Sequence, residues 1–204
     1  MRLVTIGCEY VGKTALADAL QAWGAQHGRN FHMDDSDFSI PDDRHLAEDE
    51  QQALVEAPPA LKERFQRMQI YYHVFVQRNC EDCIFGGYHI QEAIYGPRYY
   101  YPGTEVHYLQ HVEGFLQPDT ILVLMTADPD EIRARMKAAP HKFPIVPPGD
   151  VEEVQAEFEK EFAASTIKRK VHLDTTGFPA DEILDRFLVA VRPALSARDL
   201  LLMS

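Results

Sequence analysis

Three features are scarce in this chain of 204 residues: cysteines, long apolar runs and clustered basic residues. The three cysteines, Cys8, Cys80 and Cys83, have no spacing typical of a disulfide framework, which favours a reducing compartment. No stretch approaches the roughly 18 apolar residues that a membrane helix requires, and Arg2–Ile6 is too brief for the apolar core of a secretory signal. We therefore expect a cytoplasmic protein without a membrane partner.

The charge of the chain is strongly negative, at −12 near neutral pH. Such a charge repels nucleic-acid phosphates unless a local basic patch overrides it. The densest basic stretch, Lys168-Arg169-Lys170, is too short to form such a patch. Nucleic acid is therefore not expected as a partner.

The stretch Cys80-Glu81-Asp82-Cys83 has the C-x-x-C spacing of zinc and redox sites. One pair supplies only half of a structural zinc site, and no second pair or His-x₃₋₅-His follows it. The pair also enters a predicted strand, whereas redox pairs open a helix that lowers the thiol pKa. We assign this stretch neither a metal nor a redox role.

Helix and strand signals alternate along the chain, and the strands are short and apolar, as expected for a parallel sheet covered on both faces. The predicted strands are residues 3–6, 30–33, 83–87, 120–126 and 170–174. The predicted helices are residues 14–26, 47–55, 61–77, 105–116, 130–138, 150–165 and 180–191. The helix over 61–77 is indicated by apolar residues at Phe65, Met68, Ile70, Tyr72 and Phe75. Without repeats or linkers, residues 1–204 suit one α/β domain.

The sequence Gly7-Cys8-Glu9-Tyr10-Val11-Gly12-Lys13-Thr14 matches the phosphate-binding pattern G-x₄-G-K-[ST] at every fixed position. It follows a predicted strand and precedes a predicted helix, as the motif requires. The glycines let backbone N–H groups wrap the phosphates, and the helix adds the positive end of its dipole. Lys13 supplies a cation to the β- and γ-phosphates, and the Thr14 hydroxyl is a Mg²⁺ ligand. We expect ATP to contact Gly7, Glu9, Tyr10, Val11, Gly12, Lys13, Thr14 and Ala15.

A second informative stretch follows the fourth strand: Asp128-Pro129-Asp130-Glu131-Ile132-Arg133-Ala134-Arg135. Together with the phosphate-binding loop, it resembles the P-loop kinases of the nucleoside monophosphate kinase class, nearest to thymidylate kinase and deoxynucleoside kinase. The resemblance covers essentially the whole chain and implies a three-layer α/β fold with a five-stranded parallel sheet of order 2-3-1-4-5. It also implies that Arg135 is a catalytic residue at the base of a mobile lid, where it contacts the donor or transferring phosphates. The lid would be residues 138–149, with His141 and Lys142.

The end of the third strand departs from that family. Thymidylate-like kinases carry Asp-Arg-Tyr there and deoxynucleoside kinases Glu-Arg-Ser, whereas this chain has Gly86-Gly87-Tyr88. The acidic residue and the arginine that handle the acceptor are missing, so neither thymidine nor its monophosphate is assigned as substrate. Ras-type GTPases fit less well, because the chain lacks their Asn-Lys-x-Asp and Asp-x-x-Gly motifs.

Phosphoryl transfer to a hydroxyl usually needs a carboxylate near the acceptor oxygen. The cluster Asp34-Asp35-Ser36-Asp37 follows the second strand and resembles the Asp-x-Asp of shikimate, gluconate and uridine kinases. We predict Asp35 and Asp37 as catalytic residues, with Asp35 also a Mg²⁺ ligand. The alternative is a solvated acidic turn that caps a helix.

The tyrosine-rich segment 86–101 is the second candidate for the acceptor side. Its tandem glycines leave room for a ligand near the backbone, and Glu92 is a catalytic candidate. Tyr88 and Arg98 suit a flat or anionic acceptor, together with Arg64 on the preceding helix. The alternatives are an aromatic loop packed on the body and, for Arg64, a solvated surface position.

These features predict an ATP-dependent phosphotransferase that moves the γ-phosphate to a small-molecule or nucleotide acceptor. The main alternative is a nucleotide-binding regulator with little transferase activity, which the missing Asp-Arg pair permits. A nucleic-acid-directed kinase is a third, and the charge of −12 argues against it. A homodimer is compatible with the sequence.

Overall fold

The computed structural model describes residues 1–33, 46–104, 106 and 109–203, so Asp35 and Asp37 lie outside the described residues. Within these ranges the strands are β1 (Arg2–Ile6), β2 (His32–Met33), β3 (Cys83–Gly86), β4 (Thr120–Thr126) and β5 (Arg169–Asp174). They are parallel and lie in the order β2-β3-β1-β4-β5, which confirms the predicted sheet. The phosphate-binding loop leaves the central strand β1, at the edge of the sheet where open α/β folds bind ligands.

The burial of the strands follows from their place in the sheet. In β4 every residue from Thr120 to Met125 is buried, and β1 is buried from Leu3 onward, because both strands are covered on both faces. Leu3 pairs with Ile121 on one side and with Ile84 on the other. The edge strand β5 alternates at its end instead, with buried and exposed residues in turn.

The helices of the described residues are α1 (Lys13–Gln26), α2 (Glu48–Glu56), α3 (Pro59–Asn79), α4 (Tyr88–Tyr95), α5 (Leu109–Val112), α6 (Pro129–Ala138), α7 (Val151–Ala164), α8 (Ile183–Val191) and α9 (Ala197–Leu202). A π-helical turn, Gly96–Tyr100, extends α4. Short 3₁₀ turns lie at Glu113–Phe115, Ala180–Glu182 and Arg192–Ala194. Helix α1 packs with α8, and α4 packs with α7, on the two sides of the sheet. The result is a three-layer α/β fold.

Two helices differ from the sequence prediction in their extent. The helix expected over residues 105–116 is shorter: Val106 is not helical, and among the described residues α5 covers Leu109–Val112 and passes into the 3₁₀ turn at Glu113. Gly114 lies in that turn, and a glycine disfavours the helix interior by roughly 1 kcal/mol relative to alanine. In contrast, residues 88–95, predicted only as part of the tyrosine-rich segment 86–101, form the complete helix α4.

Helix α3 has the predicted position but buries an unexpected face. The residues on its buried face are Glu63, Gln66, Ile70, His73, Val74, Val76 and Gln77, whereas Phe65, Met68, Tyr72 and Phe75 are exposed. The polar face is buried because its groups find partners there: the Gln77 side chain donates to Thr120 Oγ1 at 2.6 Å and accepts from the Gln117 N–H at 2.7 Å. The apolar residues that indicated the helix are therefore largely outside the core.

The cysteines of the C-x-x-C stretch have a structural role only. Cys8, Cys80 and Cys83 are free thiols, and burial raises the pKa of Cys83 to about 12, so this thiol stays protonated near neutral pH. Within the ranges that the structure describes, no helix has both the length and the apolar character needed to cross a membrane.

Candidate nucleotide-binding site

The phosphate-binding loop joins β1 to α1 through backbone conformations that few residues adopt. Gly7 has a φ of 145°, and a Cβ there would lie 2.2 Å from the carbonyl oxygen of Met125, so no side chain fits. Gly12, with a φ of 96°, is the N-terminal cap of α1. Tyr10 has a φ of 66° although it is not a glycine, a strained conformation that persists where surrounding contacts hold it.

Lys13 begins α1 and lies across the loop. Its Nζ donates to the carbonyl oxygen of Gly7 at 2.5 Å and to that of Cys8 at 2.9 Å. Burial lowers the pKa of Lys13 to about 8, against the opposing influence of Cys8 and Glu9. The lysine and the positive end of the α1 dipole thus both lie where this motif binds phosphate.

A cavity of about 300 Å³ lies against the loop. Its walls come from three parts of the chain. The loop and α1 contribute Glu9, Tyr10, Gly12, Lys13, Thr14 and Ala15, α4 contributes Gln91 and Tyr95, and the segment after α6 contributes His141 and Ile145. The Tyr95 hydroxyl also accepts the Glu9 backbone N–H at 3.1 Å, which ties α4 to the loop. The volume is at the lower end for small-molecule pockets.

Residues 139–149, called the lid segment below, are fastened to the loop. One oxygen of the Glu9 carboxylate accepts the N–H groups of Ile145 at 3.0 Å and Val146 at 2.7 Å. The other oxygen is 3.0 Å from His141 Nδ1. The His141 ring stacks on Tyr10 with centroids 4.0 Å apart, and the His141 N–H donates to the Tyr10 hydroxyl at 2.8 Å. The second and third residues after Gly7 therefore hold the lid segment over the cavity.

Arg135 supports the loop from the side of α6. Its guanidinium donates to the Tyr10 carbonyl oxygen and to the Thr175 carbonyl oxygen, both at 2.9 Å, and it pairs with Glu131. The Thr175 hydroxyl in turn donates to the carbonyl oxygen of Val11 at 2.9 Å. In this arrangement the Arg135 side chain is one of the supports of the loop backbone, and it is not among the described residues that line the cavity.

Glu92 is a buried acid on α4 and is not among the described residues that line the cavity. It is only 5 % exposed, and its Oε1 atom has no hydrogen-bond partner. Burial, together with the nearby carboxylate of Glu63, raises the pKa of Glu92 to about 8. The side chain is therefore a neutral carboxylic acid at neutral pH.

The other predicted acceptor residues lie apart from the cavity walls. Tyr88 is buried and donates its hydroxyl to the Ile70 carbonyl oxygen at 2.8 Å, on α3. Arg98 pairs with Glu153 and Glu157 of α7, each at 2.7 Å. Arg64 is exposed on α3. The structure thus brings the predicted loop residues together with His141, and it places Arg98 and Tyr88 in contacts with neighbouring helices.

Four residues at this site were not predicted from the sequence: Gln91, Tyr95, Ile145 and Thr175. Gln91 and Tyr95 reach the cavity because α4 begins directly after Gly87, whose φ of 77° sets the helix direction. The tyrosine-rich composition of segment 86–101 was the available signal for Tyr95. Thr175 is the first residue after β5, at the same edge of the sheet as the loop.

Few of the described residues at this site are candidate Mg²⁺ ligands. Thr14 is exposed at the cavity, and the second predicted ligand, Asp35, lies outside the described residues. In the parts of the chain that the structure describes, no three His, Cys, Asp or Glu side chains are grouped as metal ligands. Mg²⁺ in phosphate-transfer sites is held largely by substrate phosphates, water and one or two protein groups, so the Thr14 hydroxyl suits it.

No protein-family model matches the chain, and no curated protein matches it. Solved structures do match over almost its whole length. The YorR protein from Bacillus subtilis, in complex with phosphorylated GDP, is 11 % identical with a TM-score of 0.63, and the match covers 94 % of this chain and 96 % of that one. Deoxyadenosine kinase from M. mycoides with bound dATP is 13 % identical with a TM-score of 0.60, covering 94 % and 100 %. Thymidylate kinase from Candida albicans is 13 % identical with a TM-score of 0.54, covering 94 % and 90 %. At these identities the similarity concerns the fold alone, a three-layer α/β fold that this chain shares with the three structures.

Proposed function

We propose that this chain is an ATP-dependent phosphotransferase that moves the γ-phosphate to a small-molecule or nucleotide acceptor. The observation that carries the proposal is the closure of the phosphate-binding loop by the lid segment through Glu9 and Tyr10. Holding a nucleotide does not require water to be kept out. Transfer to an acceptor other than water does, and lids serve that purpose in many enzymes.

The residues of the loop have separate tasks in this proposal. Lys13 and the loop N–H groups bind and orient the phosphates, and Thr14 would hold Mg²⁺, which neutralises charge on the phosphate oxygens when bound. Glu9 keeps the lid segment closed. Arg135 contacts the transferring phosphates only if it leaves Thr175 and Glu131, so its predicted catalytic role requires a movement of its side chain.

The fold supports the nucleotide class of acceptor. Two of the matching structures are named thymidylate kinase and deoxyadenosine kinase, and a third contains phosphorylated GDP. The acceptor would lie between the lid segment and α4, beside Gln91 and Tyr95, which line the cavity.

A specific observation favours a second candidate, a nucleotide-binding regulator. Glu9 is the only carboxylate among the described residues that line the cavity, and both of its oxygens contact the lid segment. Glu92 is protonated at neutral pH, and β3 ends in Gly86 rather than in an acid. A general base would then have to come from Asp35 or Asp37. Without one, the chain would bind the nucleotide and transfer nothing.

Label transfer separates these two functions. The protein is incubated with Mg²⁺ and ATP labelled at the γ-phosphate, together with a panel of nucleosides, nucleotides and small hydroxylated metabolites, and ATP affinity is measured by calorimetry. A kinase labels at least one acceptor, and Asp35→Asn or Asp37→Asn lowers turnover while keeping ATP affinity. Lys13→Ala loses ATP binding in either case. ATP binding by the unchanged protein without transfer to any acceptor would establish the regulator instead.

A further inference from the structure

The imidazole of His141 is held in one orientation above the phosphate-binding loop. Its Nδ1 atom lies 3.0 Å from Glu9 Oε1, and its ring stacks on Tyr10 with centroids 4.0 Å apart. The backbone N–H of His141 also donates to the Tyr10 hydroxyl at 2.8 Å. The hydrogen bond to Glu9 sets the rotation of the ring, and the stack sets its plane. A surface histidine without such contacts changes rotamer on the nanosecond timescale.

The partner of Nδ1 determines which ring nitrogen carries the proton. An ionised carboxylate only accepts hydrogen bonds. The other oxygen of Glu9 accepts the N–H groups of Ile145 at 3.0 Å and Val146 at 2.7 Å, so donors surround this carboxylate. Nδ1 therefore donates to Glu9, and in the neutral imidazole the lone pair is then on Nε2.

The same imidazole belongs to the wall of the cavity. His141 lines the cavity of about 300 Å³ together with Lys13 and Thr14, the residues predicted to hold the phosphates and Mg²⁺. Its side chain is 49 % exposed, so small molecules can reach the ring. A base of the type that takes up protons near neutral pH thus borders the place where the γ-phosphate is expected.

We infer that His141 is the general base of the phosphoryl transfer and that Glu9 positions it; this inference rests on the proposed function. In the step, the hydroxyl proton of the acceptor moves to Nε2 while the hydroxyl oxygen forms a bond to the γ-phosphorus. The bond between this phosphorus and the β–γ bridging oxygen breaks, and ADP leaves. The Glu9 carboxylate stabilises the imidazolium, which gives its proton to water after the lid segment opens.

This role couples the chemistry to the closure of the lid segment. Among the described residues of the cavity wall, Glu9 is the one carboxylate, and it acts through the imidazole rather than on the acceptor itself. The base is in place only while Glu9 holds the lid segment on the loop. When the segment opens and water enters, the base leaves with it, so ATP is protected from hydrolysis.

Substitution by asparagine separates the base from the contact with Glu9. The amide of His141→Asn can still donate to Glu9 but cannot take up a proton. We expect ATP affinity to stay within about threefold and kcat to fall on the order of 10²–10³-fold. Calorimetry measures the affinity. The kcat is measured with Mg²⁺, γ-labelled ATP and an equimolar mixture of the four deoxynucleosides and their 5′-monophosphates. His111→Asn, an exposed position on α5, is the matched control and should change neither value.

Chemical rescue distinguishes proton transfer from a role of positive charge. In His141→Ala, added imidazoles should restore turnover in proportion to the concentration of their neutral form, and more strongly as their basicity increases. Guanidinium, a cation that cannot take up a proton, should restore nothing. Restoration by guanidinium, or unchanged turnover in His141→Asn, would overturn the inference and leave the phosphotransferase function standing.

The tautomer is tested without any acceptor. In protein labelled with ¹⁵N at histidine, the His141 signals are identified by their loss in His141→Asn. We expect a protonated Nδ1 and an unprotonated Nε2, and the reverse tautomer would overturn the inference. If the unchanged protein shows the expected tautomer but labels no compound of the mixture, the proposed function fails and the base role fails with it.

Discussion

The ring of Tyr10 lies parallel to the imidazole of His141, with an interplanar angle of 14°. Tyr10 belongs to the phosphate-binding loop and has a left-handed backbone, and His141 belongs to the lid segment. The Arg135 guanidinium donates to the Tyr10 carbonyl oxygen at 2.9 Å. A shift of the loop on nucleotide binding must therefore move the lid segment as well, because one residue of the loop carries both contacts.

The first prediction concerns the carboxylate that holds the lid segment. Glu9→Gln keeps the shape but removes the charge that the N–H groups of Ile145 and Val146 donate to. Hydrogen bonds to a charged group contribute about 1.5–3 kcal/mol, so we expect the lid segment to open more often and ATP to bind roughly tenfold more weakly. Hydrogen exchange at residues 145 and 146 and calorimetric titration with ATP measure the two effects.

The control for this variant is Glu159→Gln, an exposed carboxylate on α7. It should change neither the exchange of the lid segment nor ATP affinity. If Glu9→Gln behaves like Glu159→Gln in both measurements, the carboxylate does not hold the lid segment closed.

The sheet could be predicted from the sequence because its strands carry an unambiguous pattern. Strand β4 has its predicted bounds, Thr120–Thr126, because residues 121–125 form a continuous apolar run, which is typical of a central parallel strand buried on both faces. Helix α3 shows where this reasoning stops. The spacing of its apolar residues predicts a helix, but two faces of this helix have a similar spacing. Hydrogen bonds with distant residues such as Thr120 determine which face is buried.

The loop could be predicted, but its surroundings could not. Residues 7–14 form a local motif whose conformation follows from its own glycines. Glu9 contacts Ile145, and Arg135 contacts Thr175, 40 positions further along the chain. No local sequence pattern encodes contacts between residues so far apart. The position of Arg98 among tyrosines is typical of a binding residue, but its guanidinium forms ion pairs with two carboxylates of α7 instead.

The second prediction concerns the pH dependence of stability through Glu92. Its pKa is about 8 in the folded protein, above the ordinary value of 4.5, so the folded state retains a proton that the unfolded state releases between these two values. Stability should fall as pH rises through this window, by up to about 1.4 kcal/mol per pH unit, and level off above pH 8. Glu92→Gln removes this titration, so the variant should exceed the unchanged protein by on the order of 4 kcal/mol at pH 8.5 and match it near pH 4.5.

Urea unfolding at several pH values between 4.5 and 9 measures this difference. Glu159→Gln again serves as the control, because an exposed carboxylate should leave the pH profile unchanged. If the stabilities of Glu92→Gln and of the unchanged protein change in parallel between pH 4.5 and 9, the pKa of Glu92 is not raised in the folded state.

The third prediction concerns Gly7, the first residue of the phosphate-binding loop. Gly7→Ala places a Cβ 2.2 Å from the carbonyl oxygen of Met125, at a φ of 145°, so the loop must move away from β4. We expect ATP binding to be lost and the free energy of unfolding to fall by roughly 2 kcal/mol or more. Gly114→Ala is the matched control, since a Cβ there meets nothing within 4 Å. Retention of ATP affinity by Gly7→Ala would show that the loop can bind phosphates in another conformation.

The last prediction concerns the buried charges that join α9 to the sheet. The Arg29 guanidinium lies 2.7 Å from Asp199 and also pairs with Asp82, and all three side chains are buried. Burial alone would raise the pKa of Asp82, but the Arg29 guanidinium and the N-terminal amine of Met1 together outweigh it, and the pKa is about 2. Asp199→Ala leaves Arg29 with one carboxylate and removes the Ser196 contact that begins α9, so we expect a loss of roughly 3 kcal/mol in the free energy of unfolding.

Urea unfolding at pH 7 measures this loss, with Asp181→Ala as its counterpart in an exposed 3₁₀ turn. The counterpart should stay within about 0.5 kcal/mol of the unchanged protein, as surface substitutions usually do. Helix α9 contributes none of the described residues that line the cavity, so ATP affinity should be the same for both variants under conditions in which they are folded. Equal stability of the two variants would mean that the pairing with Asp82 alone is enough to accommodate the buried Arg29.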